Sequence, residues 1–178
     1  MQNVKVYPLI NKEEIEKKIS ELAEKISTDY KNKDLVLVCI LKGAWIFMAD
    51  LVRKLTIPVK CDFLGVSSYG SGTESSGVVR ILSDLTIQVE GKHVLIVEDI
   101  IDTGLTLKYI KDLMLQRKPK SVKICALLDK PARHKIEVKI DYLGFTIPNK
   151  FVVGYGIDYD ERFRNLPYIG YIEFEEKK

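Results

Sequence analysis

Residues 94–107, VLIVEDIIDTGLTL, constrain this chain more than any other stretch, because an unbroken apolar run passes directly into acids, a Thr-Gly turn and a new helical pattern. Val94, Leu95, Ile96 and Val97 show no polar alternation, the pattern of a strand covered on both faces in a parallel sheet. Glu98 and Asp99 then fall at the carboxyl end of that strand, where open α/β sheets bind ligands. Asp102, Thr103, Gly104, Leu105 and Thr106 follow. Gly104 permits close backbone approach, and the helix that begins there offers unpaired N–H groups and a positive dipole end to an anion. Thr103 and Thr106 can add hydroxyl donors. Read singly, Asp102 or Thr103 would serve as a helix cap, with Glu98 and Asp99 as solvated loop acids. Capping needs one such residue and leaves two adjacent acids after a buried strand without a role.

A chain of 178 residues suits one domain spanning 1–178, since about two thirds of the unfolded surface is buried at that size. With 46% hydrophobic and 30% charged residues, it is neither disordered nor membrane-embedded by composition. No apolar run reaches the roughly 20 residues of a membrane span. The N-terminal MQNVKVYPLINKEE lacks a signal peptide's pattern, which predicts a cytoplasmic protein with no membrane partner. Cys39, Cys61 and Cys125 lie in apolar segments and are read as small buried strand residues in a reducing compartment. His93 and His134 stand apart from each other and from every cysteine, so no zinc constellation is expected. A net charge of +3 with scattered basic residues argues against a nucleic-acid partner.

Ile15, Ile19, Leu22, Ala23 and Ile26 recur at helical spacing, and Asn11 with Glu14 resembles a capping box, which predicts a helix over 12–31. Strand 35–40 and helix 44–55 follow, with Trp45, Phe47, Met48 and Leu51 as the helix's apolar face and Trp45 read as core. Strands at 59–67 and 78–83 flank the Gly/Ser-rich 68–77, a hairpin with a long flexible tip of the kind that serves as a lid. A helix over 103–116 and strands at 122–128, 142–145 and 152–155 complete a parallel α/β pattern. The final EFEEKK reads as a frayed end.

The segment 94–107 resembles the phosphoribosyl diphosphate (PRPP) signature of type I phosphoribosyltransferases, and nearly the whole chain is similar to their hypoxanthine-guanine members. The resemblance implies a central mostly parallel sheet flanked by helices, a flexible hairpin lid and a small hood. It implies that Glu98 and Asp99 meet ribose hydroxyls and magnesium, that Asp102 is the general base, and that Thr103, Gly104, Leu105 and Thr106 hold the 5′-phosphate. Leu105 departs from the lysine or arginine of many relatives, a peripheral change if backbone N–H groups hold the phosphate.

Lys42 and Gly43, after Leu41, resemble the loop that contacts pyrophosphate, where relatives often carry a non-proline cis peptide at the Leu-Lys step. Ser68 and Tyr69 resemble the lid's head. Lys130, after ALLD, resembles the lysine that donates to the purine's 6-oxo group, with Arg133 a lesser candidate near pyrophosphate. The run 150–158, KFVVGYGID, resembles the base-binding segment: Phe151 stacks on the purine, Val152 meets its edge, and Asp158 ligates magnesium. Arg164 resembles a pyrophosphate contact.

These implications together give transfer of 5-phosphoribosyl from PRPP to N9 of hypoxanthine or guanine, with Mg²⁺ as cofactor and a homodimer or homotetramer as the assembly. A differently specific purine transferase is the nearest alternative. An RNA-binding regulator on the same scaffold is a rival of another class, and it requires a concentrated basic face. GxxxxGK[ST] is absent, and Gly70-Ser71-Gly72 lacks the third glycine at Ser75, so neither a P-loop nor a dinucleotide fingerprint is present.

Overall fold

The computed structural model describes residues 4–68 and 79–174. In chain order these form β1 (Val4–Ile10), α1 (Lys12–Asp29), β2 (Leu35–Leu41), α2 (Trp45–Lys54), β3 (Lys60–Ser68), β4 (Val79–Ser83), β5 (His93–Ile101), α3 (Leu105–Gln116), β6 (Ser121–Asp129), β7 (Tyr142–Thr146), β8 (Val152–Val153) and β9 (Ile169–Phe174). The main sheet has the order β4-β3-β2-β5-β6-β7. Its neighbours are parallel except β4, which returns antiparallel along β3. A smaller antiparallel sheet, β1-β9-β8, forms the hood.

The apolar runs are strands because helices cover both faces. Leu35, Leu37, Cys39, Leu95, Val97 and Cys125 pack with α1 and α2, whereas Val36, Val38, Ile40, Val94, Ile96 and Ala126 pack with α3. The α1 stripe of Ile15, Ile19, Leu22, Ala23 and Ile26 is buried, and its capping box is formed: Asn11 Oδ1 accepts from the Glu14 amide at 2.8 Å, and Glu14 Oε2 from the Asn11 amide at 2.9 Å. No helix among the described residues is long and apolar enough to cross a membrane.

Several sequence expectations are corrected. Strand β5 continues to Ile101, so Glu98 and Asp99 lie within it instead of beyond its end. The alternation slips across these acids: Ile100 packs on the α1/α2 side and Ile101 lies on the α3 side. Here the Asp99 and Ile100 amides donate to the carboxylates of Glu98 and Asp99 at 3.2 and 2.8 Å. Trp45 is 49% exposed, because the buried stripe of α2 runs through Ala44, Phe47, Met48 and Leu51 and Trp45 sits off it. Cys61 is exposed, since it lies on β3 while α2 packs over β2 and β5. Glu173 and Phe174 belong to β9, and β1 and β9 pair through their ends, a long-range contact invisible to local periodicity. The last helix begins at Leu105 instead of residue 103, and β8 is only Val152–Val153.

Candidate active site

The site is assembled from three loops at the carboxyl edge of the main sheet and one turn of the hood. After β2, the Leu41–Lys42 peptide is cis. Gly43 follows against β5, and a Cβ built on it would overlap the Asp99 carboxylate. Gly156, at φ +101°, approaches the same loop so closely that a side chain there would overlap the Gly43 carbonyl. Two glycines therefore let the β2 loop, Asp99 and the hood converge at backbone distance.

Glu98 is 8% exposed and sits beside Asp99. Burial pushes the Glu98 carboxyl well above the ordinary range, and the neighbouring Asp99 charge pushes the same way. Burial also raises Asp99, against its hydrogen bonds and the Arg164 charge. Two hard oxygen donors that are costly to charge in isolation suit a divalent cation or a polyol hydroxyl. Among the described residues no three His, Cys, Asp or Glu side chains converge as a metal cage. Asp158 lies 2.9 Å from Arg164 Nη2 and accepts from the Glu161 amide at 2.9 Å.

Beyond β5, Gly104 adopts φ +81° as the N-cap of α3, and no side chain caps that helix. The Leu105 amide reaches Thr103 Oγ1 only at 3.4 Å. The capping alternative therefore fails for Asp102, whose carboxylate turns to Arg133 Nε at 3.3 Å and Lys130 Nζ at 4.0 Å. The first turn of α3, with Thr106, thus presents backbone amides in an arrangement that suits an anion. Behind it the Lys135 amide donates to the Thr103 carbonyl and the Lys130 amide to the Ile101 carbonyl, both at 3.0 Å, which ties the turn at 102–106 to the Lys130 loop.

Lys130 is 8% exposed, and burial lowers its pKa, with Asp102 opposing and Arg133 assisting the shift. Sequence reasoning missed Asp129, a buried acid whose Oδ1 lies 2.7 Å from His134 Nε2 and so closes the Lys130 loop. An acid ending the apolar run ALLD was its only signal. Phe151 is 39% exposed and meets Tyr159 in a T-shaped contact at 5.6 Å between centroids. Val152 is buried and pairs with Tyr171. Ser68 ends β3 opposite Val79, but its side chain and Tyr69 lie outside the described residues, as does the hairpin tip at 69–78.

Paired acids beside a helix start with no side-chain cap, on a doubly covered parallel sheet, form a site whose chemistry suits a phosphorylated ligand. The phosphoribosyl transferase domain model matches residues 9–160, and the chain belongs to that family. It is 51% identical over 165 residues to the hypoxanthine-guanine phosphoribosyltransferase of Bacillus subtilis, covering 93% of this chain and 92% of that protein. It is 52% identical over 167 residues, 94% of this chain, to the bifunctional protein TilS/HprT of Listeria monocytogenes, but spans only 26% of that protein's length. A crystal structure of a hypoxanthine phosphoribosyltransferase from Staphylococcus aureus superposes with a TM-score of 0.90 at 48% identity, covering 94% of this chain and 91% of that one.

Proposed function

We propose that this chain, working as one domain, transfers the 5-phosphoribosyl group of PRPP to N9 of hypoxanthine or guanine, giving IMP or GMP and pyrophosphate. One observation carries the reading: Asp102 lies between the uncapped phosphate turn and the buried Lys130, 4.0 Å away, so one carboxylate borders both the sugar donor and the base. The amides of residues 103–106 take the 5′-phosphate, which fixes the sugar for attack. Glu98 and Asp99 meet the ribose hydroxyls and steady the electron-poor ring as the C1′–oxygen bond to pyrophosphate breaks. Asp102 accepts the base proton as the C1′–N9 bond forms. Lys130 donates to the 6-oxo group, Phe151 stacks on the purine, and Val152 meets its edge.

Lys42, Gly43 and Arg164 take pyrophosphate. Mg²⁺ fits the hard oxygen donors of Glu98 and Asp99 and, separately, of Asp158, and supplies charge neutralisation on the departing diphosphate. Ser68 and Tyr69 head a lid that excludes water. The exposed apolar side chains of Trp45, Phe63 and Leu82 support a homodimer or homotetramer. Three free cysteines support a cytoplasmic setting.

The decisive test offers PRPP and Mg²⁺ with hypoxanthine, guanine, xanthine and adenine in turn and measures pyrophosphate release. Release with hypoxanthine or guanine and not with adenine is expected. No release with any 6-oxopurine ends this reading.

A further inference from the structure

Glu161 stands between the two cations assigned to pyrophosphate. Both of its carboxylate oxygens lie 3.1 Å from Lys42 Nζ, and Oε2 also lies 3.1 Å from Arg164 Nη2. Asp158 takes the same Arg164 nitrogen at 2.9 Å, and Nη1 donates to the Gly156 carbonyl at 2.9 Å. The Lys42 and Arg164 donors that a diphosphate requires are thus already engaged by protein oxygens, and one carboxylate spans both side chains.

The turn's backbone sets where this carboxylate points. Asp160 and Glu161 have φ of +52° and +59°, the left-handed region that residues with a side chain adopt infrequently. The Glu161 amide donates to Asp158 Oδ2 at 2.9 Å, which locks the turn. Yet the Lys42 and Glu161 side chains are 67% and 65% exposed, and an ion pair so open to water is weak and screened by salt. It is too weak to serve as a structural tie between β2 and the hood, and weak enough for a more highly charged anion to displace.

We infer that Glu161 is an internal competitor for the diphosphate subsite: its carboxylate occupies the Lys42 and Arg164 donors in the free protein and leaves when a diphosphate binds. This rests on the pyrophosphate role proposed for Lys42 and Arg164. Removing a residue that touches the site should then tighten binding, the opposite of the usual effect.

The test titrates inorganic pyrophosphate, with and without Mg²⁺, into the full chain and into Glu161→Gln and Glu161→Gly, by calorimetry. Glycine tolerates the left-handed backbone, so it serves if the amide variant fails to fold. The dissociation constant is expected to fall about two- to fivefold in a folded variant, with the gain shrinking as salt rises. Unchanged or weaker binding in the folded variants overturns the inference, as does a parent chain that binds no pyrophosphate. A parent that binds pyrophosphate yet releases none from PRPP with any 6-oxopurine ends the transferase reading alone, leaving Glu161 to be judged on the titration.

Discussion

The Asp99 carboxylate occupies the volume that a side chain on Gly43 would need, so the loop after β2 and the acid of β5 fit only because residue 43 has no Cβ. Gly43→Ala must push Asp99 or the loop aside. Such overpacking costs about 1–3 kcal/mol, or roughly 2–4 °C in melting temperature per kcal/mol for a chain of this size. Displacing a reacting group by about 1 Å costs about a hundredfold in rate. Steady-state kinetics with a melting curve checks this, and a fully active alanine variant would disprove the tight fit.

Glu98→Gln should stabilise the free protein while damaging function. Burial raises the Glu98 pKa in the folded state, so its favourable neutral form is fully present below the unfolded pKa of about 4.3 and that stability is lost as pH rises through the higher folded value. The amide carries no charge at any pH and removes this penalty. Melting at pH 7 should therefore rise by a few degrees, and the added stabilisation by PRPP and Mg²⁺ should shrink. A lower melting temperature would contradict the stated cause.

For Asp102, the asparagine variant separates proton transfer from binding. Turnover should fall by about 10²–10⁴-fold, the usual contribution of a general base, while PRPP affinity stays within a few-fold. Equal turnover in variant and parent removes Asp102 from the base role.

Lys130→Ala tests the acceptor side. A buried donor that meets a 6-oxo group rejects a 6-amino group by leaving polar groups unpaired, at about 1–3 kcal/mol. The variant's KM for hypoxanthine should rise about tenfold or more, and its discrimination against adenine should relax. Competition assays read both, and unchanged discrimination counts against the assignment.

Asp62 provides a control remote from chemistry. Although burial opposes its charge, three backbone amides, those of Ile87, Phe63 and Thr86, together hold its carboxyl below the ordinary range. They donate at 2.7, 2.8 and 2.7 Å, which fastens the segment after β4 to β3. Asp62→Asn leaves at least one part-buried amide unpaired and should cost about 1 kcal/mol at pH 7. A depressed pKa contributes stability above the unfolded value of about 3.9 and loses it as pH falls through the folded one. The difference between variant and parent in urea unfolding should therefore narrow below about pH 4, and a gap constant from pH 7 to pH 2 would refute the account.

Much of this molecule is local in origin. The α1 stripe and its Asn11–Glu14 box, the doubly buried strands, and the run of acids into Gly104 follow from side-chain periodicity and turn chemistry within a few residues. The chain's family was legible in the same residues. What local pattern could not supply was proximity. The continuation of β5 through Glu98 and Asp99 depends on pairing with β6, and the hood depends on Val4–Ile10 meeting Ile169–Phe174 across nearly the whole chain. Trp45 looked like core beside Ala44 and Ile46, and Cys61 did as a small residue in a strand pattern, but burial is decided by which helix lies over them.

The sequence by itself determined the helices and the central strands, the Gly104 turn and the identity of the chemical groups, because each is encoded within one or two turns of chain. Only the tertiary structure decided that Asp99 rests on Gly43, that Asp102 faces Arg133 and Lys130, that His134 closes on Asp129, and that Glu161 bridges Lys42 and Arg164. Each of these is a contact of a few ångströms between separate structural elements, or across a turn whose path the surrounding fold sets, and its geometry is fixed by packing that no local rule contains.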